Sequence, residues 1–237
     1  MMLLSHNHAH FNPAHAGATV ALDARFLTGL ADGDSVGTWT GRGATSPTAS
    51  GSDRPTYKTA IVSGQPVVRF SGSNILSASN PNVGVSSCSV VAVFSTSSYP
   101  ESAATVVDWS KRAIGGRGFW VENTGKLWFW PMDNNDVKAS SATVSSTPAI
   151  QTYIANGAMA FGSNGVMQTA VSYSDGANDF TGSTTIRVGR DLLEGLYGSF
   201  GFAGDIAALA VIPSAISAAV RKRIEQSLAF SFRIACA

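Results

Sequence analysis

The sequence predicts an all-β domain built as a two-sheet antiparallel sandwich with one C-terminal amphipathic helix. Three observations predict it: short apolar segments recur between turn signals, two hairpin turns are recognisable, and one late segment changes to helical periodicity. Hydrophobic residues make up 44% of the 237 residues, which is enough to fill the core of one large domain. We therefore expect one domain over residues 18–237, preceded by an N-terminal arm over residues 1–17.

The predicted strands follow one another in chain order. The first is TVALDARF, and a segment rich in Gly, Ser, Thr, Asp and Pro, residues 28–64, is predicted to be a long loop before QPVVRF. CSVVAVFS is apolar at nearly every position, as expected of a central strand buried on both faces. GRGFWVE and KLWFWPM flank the turn NTG, so residues 117–130 are predicted to form a hairpin. Asn164-Gly165 predicts a second, tight hairpin.

The segment after Pro213 is predicted to form the helix, over about residues 214–230. Ser214 and Ser217 are its candidate N-caps. Apolar residues recur at a spacing of four, and charged residues are predicted to occupy the opposite, solvated face. The apolar residues are Ile216, Val220, Ile224 and Leu228, and the charged residues are Arg221, Lys222, Arg223 and Glu225. We expect the helix to cover an open end or an edge of a sheet.

Charge and composition exclude several classes of function. Charged residues make up only 13% of the chain and the net charge is +1, so nucleic acid and anionic membranes are not expected partners. No apolar stretch approaches the roughly 18 residues of a membrane helix, and MMLLSHNHAH lacks the regions of a secretory signal. A surface rich in Ser, Thr and Gly suits packing into an assembly, so we predict a homo-oligomer, with a trimer as one arrangement.

Two stretches resemble the laminin-G-like branch of the concanavalin A-like lectin/glucanase superfamily. The first, residues 22–76, contains LDAR, GDSVGTWTGRG, RPTYK and GQPVVRFSGSNIL; the second, residues 186–230, contains IRVGRD and FAGDIAALAVIPSAISAAVRKRIEQSLAF. The resemblance implies a jelly-roll sandwich, because most matching positions are core residues and turns. Val67, Phe70 and Leu76 are then expected to point into the core. An activity is much less specified, because one fold serves many functions.

Glycoside hydrolysis is the main enzymatic activity that the resemblance implies, and it requires a pair of carboxylates. In the glucanase branch these carboxylates lie on one strand as E-x-D-x-x-E. The chain has four glutamates and none belongs to such a motif: Glu101, Glu122, Glu194 and Glu225. A histidine-dependent triad is not expected either, because every histidine lies within the arm. We therefore expect no enzymatic activity, with a glycoside hydrolase of unfamiliar design as the weaker alternative.

A tryptophan-rich segment is the candidate ligand site. FWVENTGKLWFWPMDNND places three tryptophans beside amides and carboxylates, and sugars bind aromatic faces that have planar polar partners around them. Strand alternation predicts that Trp128 and Trp130 face the same way. The other interpretation is that these tryptophans fill the core or a subunit interface. The predicted carbohydrate-binding residues are Trp120, Trp128, Trp130, Asn123, Asn134 and Asn135.

Two clusters are candidate metal sites. DNNDVK offers the oxygen ligands that Ca²⁺ prefers, among them Asp133 and Asp136, and many domains of the resembled branch hold Ca²⁺ at a loop rim. In an extended arm, His6, His8 and His10 would lie on one face, and three chains meeting at an axis would supply six nitrogens for a transition metal. The stretch is similar to the H-x-H motifs of trimeric phage fibres. The alternatives are turn residues and an arm that bind no metal.

The function predicted from these observations is that of a non-catalytic structural or adhesive protein of a bacteriophage particle. Residues 1–17 would attach it to other virion proteins of the capsid or tail, and the lectin-like domain would face outward as a decoration or fibre protein. A host surface glycan is the expected ligand. A lone lectin-like domain, an arm and the lack of a secretion signal favour this prediction. The alternative is a cellular carbohydrate-binding lectin module, extracellular or on the cell surface.

Overall fold

The computed structural model describes residues 16–43, 46–48, 51–82, 87–99, 103–109, 118–129, 138–172, 184–190 and 201–237. Within these segments the chain forms fifteen β-strands, a 3-10 helix over Ala24–Phe26 and one α-helix, α1, over Ala218–Phe232. The strands are β1 Val20–Asp23, β2 Thr56–Val62, β3 Gln65–Ser71, β4 Leu76–Ser79, β5 Cys88–Thr96, β6 Ala103–Asp108, β7 Gly118–Glu122, β8 Lys126–Phe129, β9 Lys138–Thr143, β10 Ala149–Ala155, β11 Ala158–Ser163, β12 Val166–Met167, β13 Val171–Ser172, β14 Thr185–Val188 and β15 Ala203–Ile212. No helix in this part of the chain is long and apolar enough to cross a membrane.

Two antiparallel sheets make the sandwich. The nine-stranded sheet has the order β12-β11-β10-β5-β15-β3-β2, with β1 also paired to β15 and β13 to β11. The six-stranded sheet has the order β4-β14-β6-β7-β8-β9. The predicted fold class is therefore confirmed: a two-sheet antiparallel jelly-roll sandwich with one C-terminal helix. The predicted division into an arm and one domain stays a prediction, because residues 1–15 lie outside the described segments.

The core between the sheets is centred on a chain of aromatic rings. Phe94 lies edge-on to Phe202 at 5.8 Å and to Phe119 at 5.9 Å between ring centroids, a geometry that aromatic pairs favour. Phe70 and Leu76 point into this core as predicted. The prediction for Val67 was wrong. Val67 is buried on the opposite face of β3. Strand residues alternate between faces, so two residues three positions apart, such as Val67 and Phe70, point to opposite sides.

Helix α1 begins later than predicted because the residues that precede it are hydrogen-bonded to β5. The Ser89 hydroxyl donates to the carbonyl of Ser214 at 2.8 Å and accepts from the backbone N–H of Ile216 at 3.0 Å, which holds these residues out of the helix. Ser217 is the N-cap, since its hydroxyl accepts from the N–H of Val220 at 3.3 Å. The helix ends at Phe232, and its C-cap residue Arg233 has a left-handed φ of 52°.

Helix α1 covers the outer face of the nine-stranded sheet, not an open end or an edge as predicted. Ile224, Leu228 and Phe232 form its buried stripe. They pack on apolar residues from four central strands: Val67, Val91, Val93, Ile150 and Ile212. An apolar outer face of this size needs a cover, and the amphipathic helix supplies it.

Two of the four charged helix residues are not on a solvated face, which corrects the prediction. Arg221 and Glu225 are 7% and 1% exposed, and Arg221 Nη1 lies 2.7 Å from Glu225 Oε2. The Thr152 hydroxyl donates to Glu225 Oε1 at 2.7 Å, and Arg221 Nη1 also donates to the carbonyl of Gly165 at 3.1 Å. Lys222 and Arg223 are exposed as predicted. The pair is therefore a hydrogen-bonded polar contact between α1 and the sheet.

The hairpins were predicted correctly, whereas β2 was missed. Strands β7 and β8 form the first hairpin, and Asn164 and Gly165, with φ of 49° and 87°, form the tight turn of the second. Strand β2 lies inside the segment predicted to be a long loop. Its register with β3 shifts between Lys58 and Val62, and Ala60 has a φ of 57°, so the expected alternation is interrupted.

Candidate functional site

The outer face of the six-stranded sheet carries an unusual set of side chains. The core side of β6, β7 and β14 holds Val106, Phe119, Val121, Ile186 and Val188. Because strand residues alternate between faces, the intervening residues point away from the core. They are Thr105, Asp108, Trp120 and Arg187, which together are called the polar face.

Strand register brings the four residues of the polar face together. Arg187 of β14 is the cross-strand partner of Asp108 of β6, and Thr105 of β6 is the partner of Trp120 of β7. The register of β6 shifts between Thr105 and Val107. Such a bulge changes which residues share a face, so Thr105 and Asp108 come to the same side although three positions separate them.

Gly118 makes room for the indole of Trp120. A Cβ atom added at Gly118 would lie 2.5 Å from Trp120 Nε1 and 2.5 Å from the carbonyl oxygen of Val107. Both distances are too short for a side chain of any kind. Gly118 is also the cross-strand partner of Asp108. The Nε1 edge of the Trp120 indole, which lies against Gly118, is therefore close to the position of Asp108 on β6.

The residues of the polar face are enclosed. Asp108 and Thr105 are 0% exposed, Trp120 is 1% and Arg187 is 8%. Burying an ionised group costs free energy unless another charge and hydrogen bonds compensate it, so a carboxylate and a guanidinium at adjacent positions are expected to stabilise each other. The Thr105 hydroxyl is buried and makes no hydrogen bond within the part of the chain that the structure describes.

The predicted carbohydrate-binding residues meet different outcomes. Trp120 lies on the polar face, where its burial matches a packed side chain rather than an open stacking surface. Asn123 is exposed in the β7–β8 turn, and Trp128 occupies the strand position opposite Trp120. The remaining predicted ligand and metal residues lie outside the described segments: Trp130, Asn134, Asn135, Asp133, Asp136, His6, His8 and His10.

Three residues of the polar face were missed by sequence reasoning: Thr105, Asp108 and Arg187. A signal existed, because ATVVDWS and TTIRVG each place one charged residue inside an apolar strand. The predicted metal sites stay predictions. Among the residues that the structure describes, no three His, Cys, Asp or Glu side chains lie close enough together to hold a metal ion.

The two sheets define the protein as a jelly-roll β-sandwich. Comparison of the sequence with protein families finds no match, and comparison with curated proteins finds none. Among solved structures, the chain is similar to a mutant of Trypanosoma rangeli sialidase displaying trans-sialidase activity. The TM-score is 0.59 and the identity 8%, over 94% of this chain and 34% of the sialidase chain. The same sialidase in complex with sialic acid gives 0.56 and 10%, over 90% and 33%.

The chain spans about a third of the length of these sialidases, which are therefore larger proteins. A neighbour of matching size is domain 4 of AbnA, a GH43 extracellular arabinanase from Geobacillus stearothermophilus, in complex with arabinotriose. Its TM-score is 0.57 and its identity 13%, over 89% of this chain and 97% of that domain. At these identities the similarity shows a shared sandwich fold.

Proposed function

We propose that the protein is a non-catalytic carbohydrate-binding domain whose ligand binds on the side of the six-stranded sheet that carries the polar face. The observation that carries the proposal is the grouping of a carboxylate, a guanidinium, a hydroxyl and an indole on one sheet face: Asp108, Arg187, Thr105 and Trp120. Carboxylates and guanidiniums bind sugar hydroxyls in pairs. Because the four residues are enclosed, we assign them the role of positioning the groups around them that contact the sugar.

The arrangement of carboxylates supports binding rather than hydrolysis. Glycoside hydrolysis uses two carboxyl groups about 5–9.5 Å apart. Among the described residues of this face, the second carboxylate besides Asp108 is Glu122. Glu122 pairs with Ala103, five residues from Asp108 along β6, so the two groups are separated by roughly 13–16 Å.

The comparison with domain 4 of AbnA supports the ligand class. That domain is a sandwich of nearly the same extent and was solved in complex with arabinotriose. Arabinotriose is therefore the first probe, followed by an array of plant, bacterial and animal glycans. Assignment to the laminin-G-like branch stays a prediction beside this proposal.

The proposal is tested by calorimetric titration of the full chain and three variants. Arg187→Gln and Trp128→Ala change the polar face and the adjoining strand, and Lys222→Gln is the control, because Lys222 is exposed on α1. We expect binding of at least one neutral oligosaccharide and a loss of about tenfold or more for Arg187→Gln. Lys222→Gln is expected to bind as the parent does. Thermal melts establish that each variant is folded.

Two results would contradict the proposal. One is the absence of binding to every glycan of the array by the folded parent chain. The other is binding that Arg187→Gln and Thr105→Val both leave unchanged, because this would place the ligand elsewhere. Release of reducing sugar from a bound polysaccharide would contradict the statement that the domain is non-catalytic, and it would leave carbohydrate binding in place.

The role in a bacteriophage particle is a narrower form of the same proposal, with a surface glycan as the ligand. It requires attachment to capsid or tail proteins through residues 1–17, of which residues 1–15 lie outside the described segments. Mass spectrometry of purified particles tests it, and absence of the chain from them would contradict it. The trimer and the arm-bound metal are tested together by the mass of the assembly before and after EDTA.

A further inference from the structure

An open groove lies where the end of α1 meets the 3-10 helix that follows β1. Its volume is about 820 Å³, within the range of small-ligand sites. Eight residues line the groove, and its larger side chains are Arg25, Phe26, Arg42, Gln65, Phe230 and Arg233. It belongs to the helix-covered side of the nine-stranded sheet, so it is separate from the polar face.

Aromatic rings and guanidiniums are interleaved along the groove. The Arg42 guanidinium carbon lies 3.7 Å from the centroid of the Phe26 ring, and that of Arg25 lies 4.7 Å from the centroid of Phe232. A guanidinium stacked flat on a ring keeps its N–H groups directed outward from its edge. Phe26 and Phe230 are 40% and 62% exposed, so the groove also presents apolar ring surface.

The charge of the groove comes from Arg42 and Arg233. Arg25 is paired with Asp23, whose carboxylate accepts from Arg25 Nε at 2.9 Å and also caps the 3-10 helix. Within the described segments, no carboxylate lines the groove and neither Arg42 nor Arg233 has an acidic partner. On a chain with a net charge of +1, two such arginines beside exposed rings mark a site for an anion.

We propose that this groove binds an acidic saccharide, a chain of uronic acid residues. Arg42 and Arg233 would hold the carboxylates, and Phe230 would pack on the apolar face of a sugar ring. The lining supplies side-chain donors and exposed ring surface, the latter from Phe26 and Phe230. Exposed rings beside guanidiniums match the apolar faces and the carboxylates of a uronic acid chain, which favours a saccharide over an acidic peptide.

The test is calorimetric titration of the full chain with a trisaccharide of galacturonic acid. Its carboxyl-reduced form is the neutral control ligand, and a triglutamate peptide is the acidic control. We expect binding of the uronate alone, weakened about tenfold or more by the double change Arg42→Gln and Arg233→Gln. Phe230→Ser is expected to weaken it as well. Affinity is expected to fall as salt rises from about 0.05 M to about 0.5 M.

The matched control is Lys222→Gln, which removes one positive charge from the exposed side of the same helix. It is expected to change the affinity by less than about twofold. Equal weakening by Lys222→Gln, or no binding of the uronate, would overturn the proposal. If triglutamate bound equally tightly, and the double variant lost that binding too, the ligand of the groove would be an acidic peptide and not a saccharide. Because Arg187 lies outside the groove, Arg187→Gln separates this site from the polar face.

Discussion

The outer faces of the two sheets differ in what they bury. On the nine-stranded sheet, α1 seals an apolar surface, and the charged pair beneath it, Arg221 and Glu225, is satisfied by Thr152 and by a backbone carbonyl. On the six-stranded sheet, the polar face buries charged and polar groups, and the Thr105 hydroxyl has no hydrogen-bond partner among the described residues. The first face is arranged for stability. The second buries a hydroxyl, that of Thr105, to which no described residue gives a hydrogen bond.

The largest expected effect is on the helix-covered face. Phe232→Ala removes a side chain with 0% exposure, so we expect the free energy of unfolding to fall by about 3–5 kcal/mol. Phe230→Ala is the matched control two residues away, where 62% of the side chain is exposed, and should cost less than about 0.5 kcal/mol. Urea denaturation measures both. Equal losses would mean that α1 is not held by its buried stripe.

The next effect concerns the buried ion pair. Glu225→Gln leaves the Arg221 guanidinium without its charge partner, so we expect a loss of about 3 kcal/mol. The double change Arg221→Met and Glu225→Leu removes both charges and should recover most of that loss. The same denaturation experiment compares the two. If the double variant were as unstable as Glu225→Gln, the loss would come from the packing and hydrogen bonds of the two side chains and not from an uncompensated charge.

Removing the hydroxyl of Thr152 and removing that of Thr105 are expected to have different, smaller effects on the free energy of unfolding. Thr152→Val removes the hydroxyl that donates to Glu225 and should cost about 1–2 kcal/mol. Thr105→Val removes a hydroxyl without a hydrogen-bond partner among the described residues, so it should be neutral or stabilising by up to about 1 kcal/mol. Glycan titration of Thr105→Val should show weaker binding. Destabilisation by Thr105→Val would mean that its hydroxyl serves the fold.

The smallest effect is a titration on the helix-covered side. Burial raises the pKa of the Cys236 thiol, and the negative charge of Glu225 adds to the rise. The folded protein therefore holds the thiol proton more tightly than the unfolded chain does. The stability of the fold is unaffected by this group below the unfolded pKa, and it falls as pH rises from there through the folded pKa. Alkylation of Cys236 by iodoacetamide near pH 8 should therefore be slower than that of the unfolded chain. Glu225→Gln should speed it slightly, and an unchanged rate would count against the charge effect.

The features predicted from sequence are local. The dipeptide Asn164-Gly165 fixes its own turn, and the alternation around residues 117–130 fixes a hairpin whose two strands are adjacent in the chain. The features that were missed depend on distant partners. An Arg and a Glu four residues apart have the same pattern on a solvated helix and on a buried one. The polar face requires the pairing of Arg187 with Asp108, which no local pattern specifies.

Both described ends of the chain lie on the same side of the sandwich. Ala16 and Cys236 pack against the apolar cluster beneath α1, and the backbone N–H of Ala237 donates to the carbonyl of Asn164 at 2.9 Å. The polar face belongs to the other sheet. A tag joined at Ala237 would therefore lie on the side of the sandwich opposite the six-stranded sheet, so immobilisation through it would leave the outer side of that sheet directed away from the support.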